Sequence, residues 1–66
     1  MKYQVTAQES DIVVMGFEAH DMFDAAEIVS EKMDIGIFVS HPMQHYTHFG
    51  YAEFEGVCDY FTLHIA

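Results

Sequence analysis

The strongest constraint on the fold of this chain is one amphipathic stretch, residues 20–34, HDMFDAAEIVSEKMD. Helical spacing puts Met22, Ala25, Ala26, Val29 and Met33 on one face. His20, Asp24, Glu27, Glu31 and Asp34 fall on the opposite face. The sequence on either side reads as strand. A single helix with a single apolar side can cover one face of a sheet and leaves the other face to something else. Asp21 is placed to cap the helix, and Asp24 sets a second carboxylate against the positive end of its dipole. Asp34 lies at the negative end, where an acid is unfavourable by a few tenths of a kcal/mol.

The flanking segments supply the strands. Residues 2–7 alternate, with Tyr3, Val5 and Ala7 on one side and Lys2, Gln4 and Thr6 on the other. Gln8, Glu9, Ser10 and Asp11 form a polar turn, since Ser and Asp side chains bond nearby backbone. Residues 12–19 form a second strand, with Val13, Met15, Phe17 and Ala19 facing one way and Ile12 and Val14 the other. Residues 35–39 are a β-branched run, expected as a third strand, and Pro42 ends it. Residues 46–65 read as a hairpin around a Glu55-Gly56 turn, with Gly56 supplying positive φ. An unbroken register from that turn sets Phe54 against Val57, Ala52 against Asp59, Gly50 against Phe61, His48 against Leu63 and Tyr46 against Ile65. A slip of one residue would turn each side chain to the other face.

The expected fold is α+β: a single antiparallel β-sheet with one α-helix packed on one face, in the order ββαβββ. The 66 residues form a single domain. A chain this short buries only about 60% of its unfolded surface, yet 52% of its residues are hydrophobic and ten are Phe or Tyr, enough for one core. The sheet face away from the helix is expected to show Ile12, Val14, Phe38, Phe49, Tyr51 and Tyr60. An exposed patch of that kind marks an interface, self-association into a homodimer included.

Charge narrows the function. Eleven Asp and Glu against two Lys and Arg give a net charge of −9. That disfavours nucleic acid and anionic membrane as direct partners and favours a basic protein. Cys58 is the only cysteine, so no internal disulfide forms, which fits a reducing compartment. The N-terminal residues lack a signal-peptide pattern and no segment has the roughly 20 apolar residues of a membrane span. A cytoplasmic protein is expected.

Catalytic and metal chemistry find little support. His41, His45 and His48 have helical metal-site spacing, but Pro42 and the strand pattern that follows make their rings diverge, so no metal site is expected. Glu53 and Glu55 share a strand face while Asp59 takes the opposite one, which leaves no acid/base pair around a pocket. Cys58 has no activating cation, and a carboxylate neighbour raises a thiol pKa. There is no phosphate loop, no nucleophile elbow and no basic patch. The protein is not expected to be an enzyme or to carry a cofactor.

The acidic pattern remains. Helical carboxylates recur about every 5.4 Å, and a DNA strand shows a phosphate about every 3.4 Å along its axis. A row of this kind is a crude copy of a phosphate track. The candidate partner-binding residues are Asp21, Asp24, Glu27, Glu31 and Asp34, with Glu53 and Glu55 on the hairpin. In size, acidity, its row of Asp24, Glu27, Glu31 and Asp34 and its strand-helix-strand plan, the chain resembles the small acidic phage-encoded anti-CRISPR inhibitors. That resemblance implies a non-catalytic inhibitor in the host cytoplasm. It would bind a basic nucleic-acid-binding protein, a CRISPR effector subunit, and block DNA or RNA engagement as a DNA mimic. The alternative is a small structural or regulatory protein that homo-oligomerises through its exposed aromatic sheet face.

Overall fold

Alternating apolar residues at both ends of the chain and an amphipathic helix between them build a sheet with one covered face. The structure, a computed structural model, describes residues 1–35 and 45–66, with the side chain of Phe49 left out. Its elements are β1 (Lys2–Ala7), β2 (Val13–Glu18), α1 (Met22–Met33), β3 (Tyr46–Phe54) and β4 (Val57–Ile65). The strands pair antiparallel in the order β2-β1-β4-β3. The first and last strands are therefore neighbours at the centre of the sheet. The α+β class holds. The strand expected at residues 35–39 lies, beyond Ile35, outside the described residues, so the order seen is ββαββ.

Tyr3, Val5 and Ala7 of β1 lie opposite Ile65, Leu63 and Phe61 of β4. They bury together with Met22, Ala25, Ala26, Val29 and Met33 of α1, the apolar helix face read from the sequence. Val5, Val29, Phe61 and Leu63 are fully buried. Each such side chain contributes about 1.5–3 kcal/mol, a large share of the net stability of about 5–15 kcal/mol typical of a folded domain.

Both ends of α1 are closed locally. Asp21 accepts a hydrogen bond from the Asp24 amide at 2.9 Å, and Asp24 Oδ2 in turn accepts from the His20 amide at 3.0 Å. This reciprocal arrangement satisfies otherwise orphaned donors, as a capping box does. At the other end Asp34 takes the left-handed conformation, with φ 54°. The amides of Asp34 and Ile35 both donate to the Ser30 carbonyl, and the Ser30 hydroxyl donates to the Ile35 carbonyl. Asp is among the few residues with a side chain that tolerate this conformation. Asp34 thus has a backbone role that offsets its unfavourable place at the negative end of the dipole.

The expected hairpin register holds near the turn and fails beyond Gly50. Phe54 pairs with Val57 and Ala52 with Asp59, as the sequence predicts. The register then shifts between Phe49 and Tyr51, leaving Gly50 as the extra residue of a β-bulge. Past it Phe49 pairs with Phe61, His48 with Thr62, Thr47 with Leu63 and Tyr46 with His64. His48 and Tyr46, expected on the covered face, therefore lie on the outer one, and Thr47 is buried in their place. A second shift, between Val5 and Thr6 of β1, makes Val14 the extra residue of β2. Val13 then sits across from Thr6 and is 51% exposed. Val14, expected outside, packs against the core.

The β3–β4 turn has positive φ at both Glu55 (50°) and Gly56 (84°). That is the pattern of the type I′ hairpin turn, in which Asn-Gly is preferred and a long side chain at the first position is strained. Glu55→Asn is therefore expected to stabilise the protein by about 0.5–1 kcal/mol. In urea unfolding it should raise the midpoint without changing the slope.

Candidate interaction surfaces

The acidic row of α1 splits into two kinds of residue. Asp21 and Asp24 are engaged in the cap just described, and Asp24 is half-buried. Glu27, Glu31 and Asp34 are exposed. Among the described residues nothing pairs with Glu27 or Glu31. They stand one helical turn apart, where like charges cost a helix about 0.2–0.5 kcal/mol. Phe23, one turn before Glu27, is 44% exposed beside them. The sequence reading missed it, although its i, i+4 spacing to Glu27 is the signal that places it on this face.

Glu53 and Glu55 do not join that row. Ala52 and the buried Asp59 face the helix side, so Glu53 and Cys58, the next pair along, face the other way. Glu55 sits at the hairpin tip. The seven candidate acids therefore form a helix group, an outer-face residue and a tip residue rather than one surface. The Cys58 thiol donates to Glu53 Oε2 at 3.4 Å. That bond, then desolvation and the Glu53 charge, push the thiol pKa up, which disfavours the thiolate. The Tyr51 hydroxyl is also raised, with Cys58 the largest cause.

The outer sheet face is polar and aromatic. Tyr46, Tyr51 and Tyr60 are 55%, 66% and 47% exposed. Tyr51 meets Tyr60 edge-on at 5.5 Å between ring centroids, and Tyr46 lies 4.9 Å from the His48 ring. The polar groups between them are paired with each other. Thr6 Oγ1 and His64 Nε2 are hydrogen-bonded at 2.8 Å. The Gln8 amide nitrogen donates to Thr62 Oγ1 at 3.0 Å and lies 3.1 Å from His48 Nδ1, which is 2.8 Å from the Thr62 hydroxyl. An amide nitrogen only donates, so His48 Nδ1 is an acceptor here, and the Thr62 hydroxyl donates a hydrogen bond to the same ring nitrogen. Of the residues expected on this face, Tyr51 and Tyr60 are there. Val14 is not, and Ile12 is exposed in the loop ahead of β2. Phe38 and the Phe49 side chain lie outside the described residues.

The remaining chemistry is sparse. His41 lies outside the described residues, His45 is exposed ahead of β3, and no group of three or more His, Cys, Asp or Glu among the described residues could hold a metal ion. Hollows of about 280 Å³ beside Lys2, Gln4, Gly16 and Glu18, and about 290 Å³ beside Met1, Glu18, His20 and Asp24, are both open to solvent. Neither sequesters a substrate from water. No described helix is long and apolar enough to cross a membrane.

Asp59 is the one buried carboxylate among the described residues, 4% exposed, and no local sequence signal marks its role. It accepts from the amides of Glu9 (3.2 Å to Oδ2), Ser10 (3.2 Å) and Tyr60 (2.7 Å) and from the Ser10 hydroxyl (3.2 Å). The Gln8 amide donates to the Tyr60 carbonyl at 2.7 Å beside it. Asp59 therefore pins the β1–β2 turn onto β4. Burial works to raise its pKa, but the four donors outweigh it and hold the carboxyl below its ordinary value. These partners are the protein's own backbone and Ser10, so the group has a structural task.

No family model, curated protein or solved structure matches the chain.

A carboxyl whose folded pKa lies below its unfolded one adds stability above the unfolded value, about 3.9. That stability is lost as the pH falls through the folded value. Asp59→Asn should therefore melt several degrees lower at neutral pH. The gap to the wild type should narrow as the pH drops below about 4, as followed by thermal unfolding across the acid range.

Proposed function

We propose that the protein is a non-catalytic binding protein whose acidic helix face docks on a basic protein surface of the kind that holds nucleic acid. The observation that carries this reading is the exposed row of Glu27, Glu31 and Asp34. These residues are unneutralised along α1 apart from Lys32, on a chain of net charge −9. Two like charges one turn apart cost the isolated helix stability, and attraction of both to a basic groove would offset that cost. Phe23 adds an apolar anchor at the edge of the row, the composition of a binding centre flanked by charge. Asp21 and Asp24 serve this surface by fixing the start of the helix. Glu53 and Glu55 lie off it and are not part of the contact. A CRISPR effector subunit is a partner of the required chemistry, and occlusion of its DNA- or RNA-binding groove is the mode of inhibition that follows.

The test is Glu27→Lys together with Glu31→Lys, each exchange replacing a negative charge by a positive one at an exposed position. Immobilised wild-type protein should capture basic nucleic-acid-binding proteins from bacterial lysate and release them as salt screens the contact. It should also displace labelled duplex from a purified CRISPR effector. The double variant should keep its circular dichroism spectrum and lose both activities. Equal capture by the two proteins would defeat the reading.

A further inference from the structure

The outer face of the sheet is nearly uncharged on a strongly acidic protein. Of the eleven acids, register puts only Glu18 and Glu53 on it, with Lys2 directly across from Glu18. The others lie in turns, on α1, or beneath the sheet at Asp59. The face is instead built from Tyr46, His48, Tyr51, Tyr60, Thr62 and His64. Aromatic enrichment with depletion of charge is the composition of an interface core.

We propose that this face is a self-association surface, on which a second copy of the chain packs sheet against sheet. Charge selects the occupant. A basic partner finds two acids here, a polyanion finds one lysine, and neither gains much. Two molecules of charge −9 repel through their acidic surfaces, and among the described residues this face is where that repulsion is least. Desolvation is cheap for the same reason that the face is ordered. The hydroxyls of Thr6 and Thr62, the His48 and His64 rings and the Gln8 amide are already bonded to each other, so covering them strands few polar groups. Area is adequate but not generous. The principal extents of the Cα trace, 29, 21 and 17 Å, suit an interface at or below the standard size of about 800 Å² per partner. A reversible dimer is expected rather than an obligate one.

Sedimentation velocity at micromolar concentrations tests this. The full chain should show a monomer–dimer equilibrium that shifts toward dimer as salt rises from about 0.05 M to about 0.5 M, because screening removes the repulsion between acidic bodies. This is the opposite salt response to that of the helix contact. Tyr60→Glu should weaken the dimer about tenfold or more with an unchanged circular dichroism spectrum, and Glu31→Gln should leave it in place. If Tyr60→Glu does not fold, Tyr46→Glu on the edge strand carries the same expectation. A strict monomer at every salt concentration, a dimer weakened by salt, or a dimer indifferent to folded face variants would each overturn the proposal.

Discussion

The structure depends on one constraint: a sheet covered by a single helix has one dry face, and every strand must present the correct parity to it. Strand side chains alternate, so one extra residue exchanges inside for outside along all that follows. The chain uses this twice. The extra residue at Val14 turns Val13 out and lets Val14 pack on the core; the extra residue at Gly50 turns His48 and Tyr46 out and Thr47 in. The two faces of the sheet owe their different character to these bulges as much as to composition. Below lie Val5, Phe61 and Leu63 with the helix; above lie hydrogen-bonded histidines and threonines with tyrosine rings packed beside them.

Small size and high charge bear on the same design. The core is modest, and a net charge of −9 opposes compaction. Local hydrogen bonding offsets part of this. Asp21 and Asp24 close one end of the helix, Asp34 supplies the left-handed residue at the other, and Asp59 ties the β1–β2 turn to the central strand. Four of the eleven acids therefore have backbone tasks. The acidity that looks uniform in the sequence divides into acids that hold the fold and acids, Glu27 and Glu31 foremost, that do nothing for it.

Most of the architecture was legible in the sequence because it rests on periodicity. The apolar face of α1, the span of β1, the Asp21 cap, the polar turn at residues 8–11 and the Glu55-Gly56 turn all follow from local spacing and turn chemistry. The bulges were not legible. An uninterrupted alternation from Gly56 back to Tyr46 fits the sequence as well as a broken one, so nothing local marks Gly50 as the extra residue. Asp59 was hidden for a related reason. Its donors, Glu9 and Ser10, lie about fifty residues away and meet it only because β1 and β4 are neighbours. The candidate acids were legible as a helix row and, by strand parity, as an outer-face position for Glu53, while the placement of Glu55 at the hairpin tip follows from its positive φ.

The two proposed surfaces differ in charge, the helix face acidic and the outer sheet face nearly uncharged, and the sheet holds them on opposite sides of one molecule. That arrangement stands or falls on the register past Gly50. Cross-strand nuclear Overhauser contacts between α protons and amides of β3 and β4 report it directly. The structure requires Thr47 opposite Leu63 and Tyr46 opposite His64. Contacts that instead place His48 opposite Leu63 and Tyr46 opposite Ile65 would show an unbroken strand, return both rings to the covered face, and contradict the account.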